Sequence, residues 1–129
     1  MSRTGLSGVR QVPRYMPQVF FVGLALVTIL SLIPGTSMPQ AFQFWDKAQH
    51  SLAYVTLSIA GGLAFPQRMK LVFMGLLAHG AVVEIMQSAL TTTRFGDVFD
   101  WFADAIGIVV GLAFCRYVLP RLAGKPMRS

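Results

Sequence analysis

Charge is what this chain has least of. Only 12% of its 129 residues are Asp, Glu, Lys or Arg, against about 25% in an ordinary soluble domain. Acid is scarcest, with five carboxylates against eleven basic residues. A single cysteine, Cys115, excludes an intrachain disulfide and any cysteine-ligated metal cluster. Inside an apolar run it reads as a small apolar side chain. The sequence has no internal repeat, no low-complexity tract and no alternating ten-residue pattern of the kind that marks a membrane barrel. Its length suits one domain and is too short for two.

Apolar residues dominate instead. They make up 54% of the chain, and the mean hydropathy is +0.59. They gather into four runs, at residues 16–33, 47–65, 71–90 and 98–119, punctuated by Pro34-Gly35, Pro66 and Pro120. Each run approaches the ~20 residues that cross a ~30 Å hydrocarbon core. Backbone left unpaired in lipid is too costly to tolerate, so the runs must be helices. The expected fold class is all-α, an integral membrane bundle of four transmembrane helices in a single domain spanning residues 1–129. Arg3, Arg10 and Arg14 ahead of the first run raise a cleavable signal peptide. The run is long for that role and is followed by a poor cleavage site, so an uncleaved first helix is expected.

The few charges are sorted by position. Nine of the eleven basic residues (Arg3, Arg10, Arg14, Arg68, Lys70, Arg116, Arg121, Lys125 and Arg128) lie at the termini or in the middle connection. Only Lys47 and Arg94 lie with the acids, which are Asp46, Glu84, Asp97, Asp100 and Asp104. Short basic clusters flanking apolar runs orient membrane helices, whereas a nucleic-acid binder gathers its basic residues on one exposed face. The net charge of +6 therefore reads as topogenic, and nucleic acid is not an expected partner. The positive-inside rule places both termini of a multi-pass membrane protein in the cytoplasm and turns every acid outward.

The outward end carries a polar constellation. Asp46, His50 and Tyr54 recur every four residues and share one stripe of the second helix, flanked by Lys47 and thickened by Gln49 and Ser51. Glu84 and Gln87 share a face of the third helix. Asp97, Asp100 and Asp104 share a face of the fourth, continued inward by Gly107 and Gly111. At ~1.5 Å of rise per residue, Glu84 and Asp104 lie about 9 Å below the outer end and His50 about 6 Å. That depth describes a shallow cleft at headgroup level, because the midplane lies about 15 Å down. Ionisable groups facing lipid there would cost a few kcal/mol each, so they should face one another.

Plainer roles compete for the same residues. Asp46, Asp97 and Asp100 suit helix N-termini as caps or dipole partners. Gln87 suits a link to a neighbouring helix, and Arg94 a loop charge. His79 sits about 140° around the axis from Glu84 and reads as a packing residue outside the cluster. Gly107-x-x-x-Gly111, Gly61-Gly62 and Gly75 read as close helix approaches. Trp45 and Trp101 read as an outer aromatic belt.

With these residues in view, the chain resembles the VanZ-like family of small bacterial membrane proteins. The resemblance rests on Asp46-Lys47-Ala48-Gln49-His50 with Tyr54 four residues on, on Glu84-x-x-Gln87, and on Arg94 followed by Asp100, Asp104, Gly107 and Gly111. It runs from Trp45 to Gly111, about half the chain, in order and spacing. Asp104 stands where the family pattern usually has Asn. The resemblance implies a polytopic cell-envelope protein of the type named for teicoplanin (glycopeptide) resistance, with action on lipid headgroups as one reading of the family.

The expected function is to bind or modify a lipid or lipid-linked headgroup, with membrane lipids as partners. His50 is the candidate base or nucleophile, Asp46 its orienter, and Glu84 or Asp100 the acid–base partner, with Asp104 beside them. Lys47 and Arg94 would hold a phosphate, with Tyr54, Gln87 and Asp97 completing the binding surface. No metal ligand set is assigned, although Asp97, Asp100 and Asp104 are oxygen ligands of the kind that suit Mg²⁺ or Mn²⁺. Two other functions compete: a binding or accessory protein without chemistry, and a small proton-coupled transporter. The transporter ranks last, since it needs an ionisable group near the midplane.

Overall fold

The computed structural model describes residues 12–33, 43–90, 98–122 and 124, with side chains in the second helix described from residue 48 onward. All regular structure among these residues is helical: α1 (Met16–Leu32), α2 (Gln43–Ala64), α3 (Met69–Leu90) and α4 (Val98–Ala113). A π-helical turn, Phe114–Val118, and the short α5, Leu119–Leu122, prolong α4. The helices fall where the four apolar runs lie. Two of them, Met69–Leu90 and the continuous Val98–Leu122, are long and apolar enough to cross a membrane, while α1 is apolar but shorter.

Proline marks two of the helix boundaries and fails to mark a third. Pro17 sits at the start of α1, where its missing N–H costs nothing. Pro66 ends α2, and the turn that follows is closed by hydrogen bonds from Phe65 N to Gly61 O and from Arg68 N to Phe65 O. Pro120 does not stop the last helix as expected; it lies inside α5. A proline ring collides with the carbonyl four residues back, which here belongs to Arg116 in the π turn. The wider turn, closed by Leu119 N to Phe114 O, gives the ring room.

α2 and α4 are the most closely packed pair, and small residues explain why. A Cβ on Gly107 would strike the Ser51 carbonyl, and one on Gly111 would strike Ser58 Oγ and the Val55 carbonyl. One register, an offset of 56 residues, runs down the seam through Ser51–Gly107, Val55–Gly111 and Ile59–Cys115. The Cys115 thiol donates to Ile59 O at 3.5 Å, so the small-residue stripe runs two turns beyond Gly107. One turn in the other direction, the same register sets Asp104 level with Ala48, two residues from His50.

α1 closes the bundle against α2 and α3. Leu57 abuts Gly23, and Phe20 packs over Gly61 beside Val72. Gly75 departs from the expected close approach, because nothing stands within 4 Å of a Cβ built there. It opens onto an apolar groove lined by Phe21, Leu24, Leu71 and Phe65, with Arg68 at its rim.

The distribution of polarity is inverted relative to a soluble domain. Leu30, Met74, Ile85, Phe99 and Ile106 are more than half exposed, while Ser31, Ser58, Glu84, Gln87 and Asp104 are buried. Contiguous exposed apolar surface marks an interface with lipid or another macromolecule. Among the described residues the basic side chains Arg14, Arg68, Lys70, Arg116 and Arg121 flank one end of the bundle. His50, Glu84, Asp100 and Asp104 lie toward the other.

Candidate functional site

Three helices converge at the acidic end. His50 from the first third of α2, Glu84 from α3 and Asp104 from α4 each offer a nitrogen or oxygen atom, and these atoms all lie within 4.8 Å of one another. Asp104 is 2% exposed and Glu84 8%. His50 keeps 11% of its side chain exposed, with Nδ1 4.0 Å from Asp104 Oδ1. That separation is too long for a hydrogen bond. Asp104 Oδ1 accepts none among the described residues, so a deeply enclosed carboxylate oxygen points at an imidazole without bonding to it.

Gly80 makes space for this arrangement. A Cβ there would lie 3.2 Å from Asp104 Oδ2 and 3.5 Å from the Tyr54 hydroxyl, so α3 meets α2 and α4 through bare backbone. Trp101 fastens the other side. Its indole N–H donates to the Leu77 carbonyl at 3.0 Å, so it clamps α4 to α3, a different task from the interfacial belt expected of it. An open groove on the α3–α4 seam, lined by Ala81, Ile85, Ser88, Val98 and Trp101, has Glu84 on its wall. The groove thus comes up to Glu84, which itself stays 8% exposed.

His79 is the residue that sequence reasoning set aside. Its ring bridges three helices, with Nε2 2.8 Å from Thr28 Oγ1 on α1 and Nδ1 2.8 Å from the Tyr54 hydroxyl on α2. Thr28 Oγ1 already donates its only proton to the Leu24 carbonyl at 2.8 Å. For a neutral imidazole the tautomer follows: Nε2–H donates to Thr28, and Nδ1 accepts from Tyr54 O–H. The hydrogen bonds then run in one direction, Tyr54 to His79 to Thr28 to Leu24. Tyr54 is 1% exposed, and its oxygen keeps acceptor capacity on the side facing Asp104. His79 does pack helices together, as expected, but it also positions a member of the cluster. The only signals in the sequence are two isolated polar residues, Thr28 and His79, in separate apolar runs.

A test of this chain is a comparison of three variants. His79→Leu strands a buried hydroxyl and should cost about 2 kcal/mol. Thr28→Val, whose hydroxyl has a partner in its own helix, should cost under about 1 kcal/mol. Adding Tyr54→Phe to His79→Leu should restore most of the loss, since removing both partners is nearly neutral. Denaturant titration in detergent reads all three, and a double variant no more stable than His79→Leu alone would refute the chain.

The other expected site residues take different places. Gln87 is buried, and its amide donates to the Ser31 carbonyl at 2.8 Å. Ser31 lies in the last turn of α1, where carbonyls lack partners within the helix, so Gln87 ties α3 to that end. This places its amide on α1 rather than on a substrate surface. Asp100 stands half-buried in the first turn of α4, where the helix dipole favours an acid. Gln49 is exposed, while Ser51 faces Gly107. Arg94 and Asp97 lie outside the described residues, as do the side chains of Asp46 and Lys47. Among the described residues the carboxylates beside His50 are Asp104 and Glu84, and the orienting role expected of Asp46 lies outside the described side chains.

No family model, curated protein or solved structure matches this chain.

Proposed function

We propose that the chain is a VanZ-like protein that crosses the bacterial inner membrane four times, with both termini in the cytoplasm. Its imidazole–carboxylate cluster binds or modifies the headgroup of a lipid or lipid-linked cell-wall intermediate at the outer leaflet. The observation that carries this reading is the convergence of His50, Glu84 and Asp104 from three helices within 4.8 Å, inside a bundle whose exterior is apolar. Holding helices together does not call for such a cluster, because polar contacts between membrane helices contribute only ~0.6 kcal/mol on average. The groove on the α3–α4 seam supports an amphiphilic ligand. A lipid lying along that seam keeps its tails on Ile85 and Val98 and carries its head toward Glu84.

Each residue has a role that its position suits. His50, the most exposed of the three, takes the proton from the attacking water or hydroxyl. Asp104, 4.0 Å from the ring, stabilises the imidazolium as it forms, as the carboxylate of a catalytic triad does. Glu84, on the groove wall, supplies a proton to the leaving oxygen. Tyr54, held by His79 and 1% exposed, backs the cluster and keeps its oxygen toward Asp104. Lys47 and Arg94 are the proposed phosphate partners.

Reconstituted protein given labelled phospholipid and lipid-linked glycosyl phosphates tests the proposal. Headgroup release or transfer that is lost in both His50→Ala and Glu84→Gln is the expected result. Headgroup binding that survives in these variants, in a protein that never shows turnover, would leave capture without chemistry. Turnover unchanged in both variants would reject the site altogether.

A further inference from the structure

We propose that His50, Glu84 and Asp104 form a binding site for one divalent transition metal of the zinc class. It rests on the reading above only in requiring that the cluster be reachable from the outer end of the bundle; in the metal-loaded protein His50 and Glu84 would serve as ligands in place of the proton-transfer roles given to them there.

Four observations carry the inference. First, the donor set is one imidazole and two carboxylates, each from a different helix. Zinc sites that keep an open position use three protein ligands of this kind, and a mixed nitrogen–oxygen set favours zinc-class ions over the all-oxygen preference of Mg²⁺. Second, the scale is right. Donors about 2.1 Å from a shared tetrahedral ion stand about 3.4 Å apart. His50 Nδ1 and Asp104 Oδ1 are 4.0 Å apart, too far to bond each other and close enough for small side-chain rotations to bring both onto one ion.

Third, Asp104 Oδ1 is buried and accepts no hydrogen bond among the described residues. A carboxylate oxygen enclosed in that state is unfavourable unless a cation or donor satisfies it, and the His50 imidazole at 4.0 Å is too far away to do so. Fourth, the surroundings are built for a fixed geometry. Gly80 leaves room for Asp104 Oδ2, and Tyr54 is locked in place by His79. The groove beside Glu84 gives an ion a way in. The fourth coordination position would take a water or a phosphate oxygen.

The chain has only two histidines, His50 and His79, so a nitrogen ligand can be assigned by substitution in tag-free protein. Detergent-purified protein is stripped with chelator and titrated with Zn²⁺ by calorimetry, with metal content after dialysis as a second reading. The expected result is one Zn²⁺ per chain at micromolar affinity or tighter, not displaced by millimolar Mg²⁺. His50→Ala and the isosteric Asp104→Asn should each weaken binding by roughly tenfold to a hundredfold or more, and His79→Gln by less than about threefold. Circular dichroism of each variant establishes that the helices persist, and Asp104→Asn decides the matter should His50→Ala not fold.

Absence of stoichiometric Zn²⁺ binding by folded wild-type protein overturns the proposal. So does binding that Asp104→Asn leaves unchanged, or that follows His79 rather than His50. No lipid is present in these titrations. A protein that binds zinc and turns over no headgroup loses only the earlier reading, and one that turns over headgroups after chelation loses only this one.

Discussion

Gly111→Ala is expected to destabilise the folded chain by about 3 kcal/mol or more, near the upper end of what overpacking costs. The new methyl would overlap Ser58 Oγ and lie 2.6 Å from the Val55 carbonyl and 3.0 Å from Ser58 Cβ. A hydroxyl can rotate away, but a backbone carbonyl inside α2 cannot move without shifting the helix. Ser58→Ala added to Gly111→Ala should therefore recover only part of the loss, because the Val55 contact remains. Gly75→Ala is the control. Nothing lies within 4 Å of its Cβ, so the ordinary helix preference for alanine should leave it neutral or up to about 1 kcal/mol more stable. Denaturant titration in detergent measures all of these. Equal effects at the two glycines would mean that the α2–α4 seam is not packed as described.

The second large effect is on chemistry. His50→Ala should lower headgroup turnover by roughly a hundredfold to ten-thousandfold, the range for a lost general base. Stability should fall by about 1–2 kcal/mol, from the packing lost with a ring that keeps only 11% of its side chain exposed, well short of the loss in turnover. The separation follows from geometry: at 4.0 Å from Asp104 the ring makes no hydrogen bond there that its removal would break. Glu84→Gln keeps the shape of the side chain and should lose turnover to a similar extent. A purely structural cluster would give the opposite pattern, with stability falling and any lipid handling following in proportion. Measuring unfolding and turnover on the same preparations distinguishes the two, and a fall in stability that accounts for the whole loss of turnover would remove His50 from the mechanism.

The expected site was legible in parts for a definite reason. Helical periodicity is local, so spacing of three and four residues was enough to group His50 with Tyr54, Glu84 with Gln87, and Asp100 with Asp104 on their own helices. It does not say how far one helix is rotated against the next. Gln87 shares a face with Glu84, yet it extends to α1 and bonds Ser31 O. His79, about 140° from Glu84 on the same helix, comes back to the cluster through Tyr54 because α2 and α1 wrap around α3. Trp101 looked interfacial by position and turned out to have a carbonyl to bind on α3.

What this sequence determined alone is where the helices lie, that they are apolar, and that its acids gather at one end and most of its bases at the other. Each of these follows from composition within a single run or from the order of the runs. Only the tertiary structure decided that Asp104 and Glu84 stand beside His50, that His79 holds Tyr54, and that Glu84 lines a lateral groove. The second and third depend on how α3 is turned against α2 and α4, and the meeting of His50 with Asp104 depends on the register between α2 and α4. That register is set by backbone meeting backbone at Gly107 and Gly111, a contact between residues 56 positions apart that no local pattern encodes.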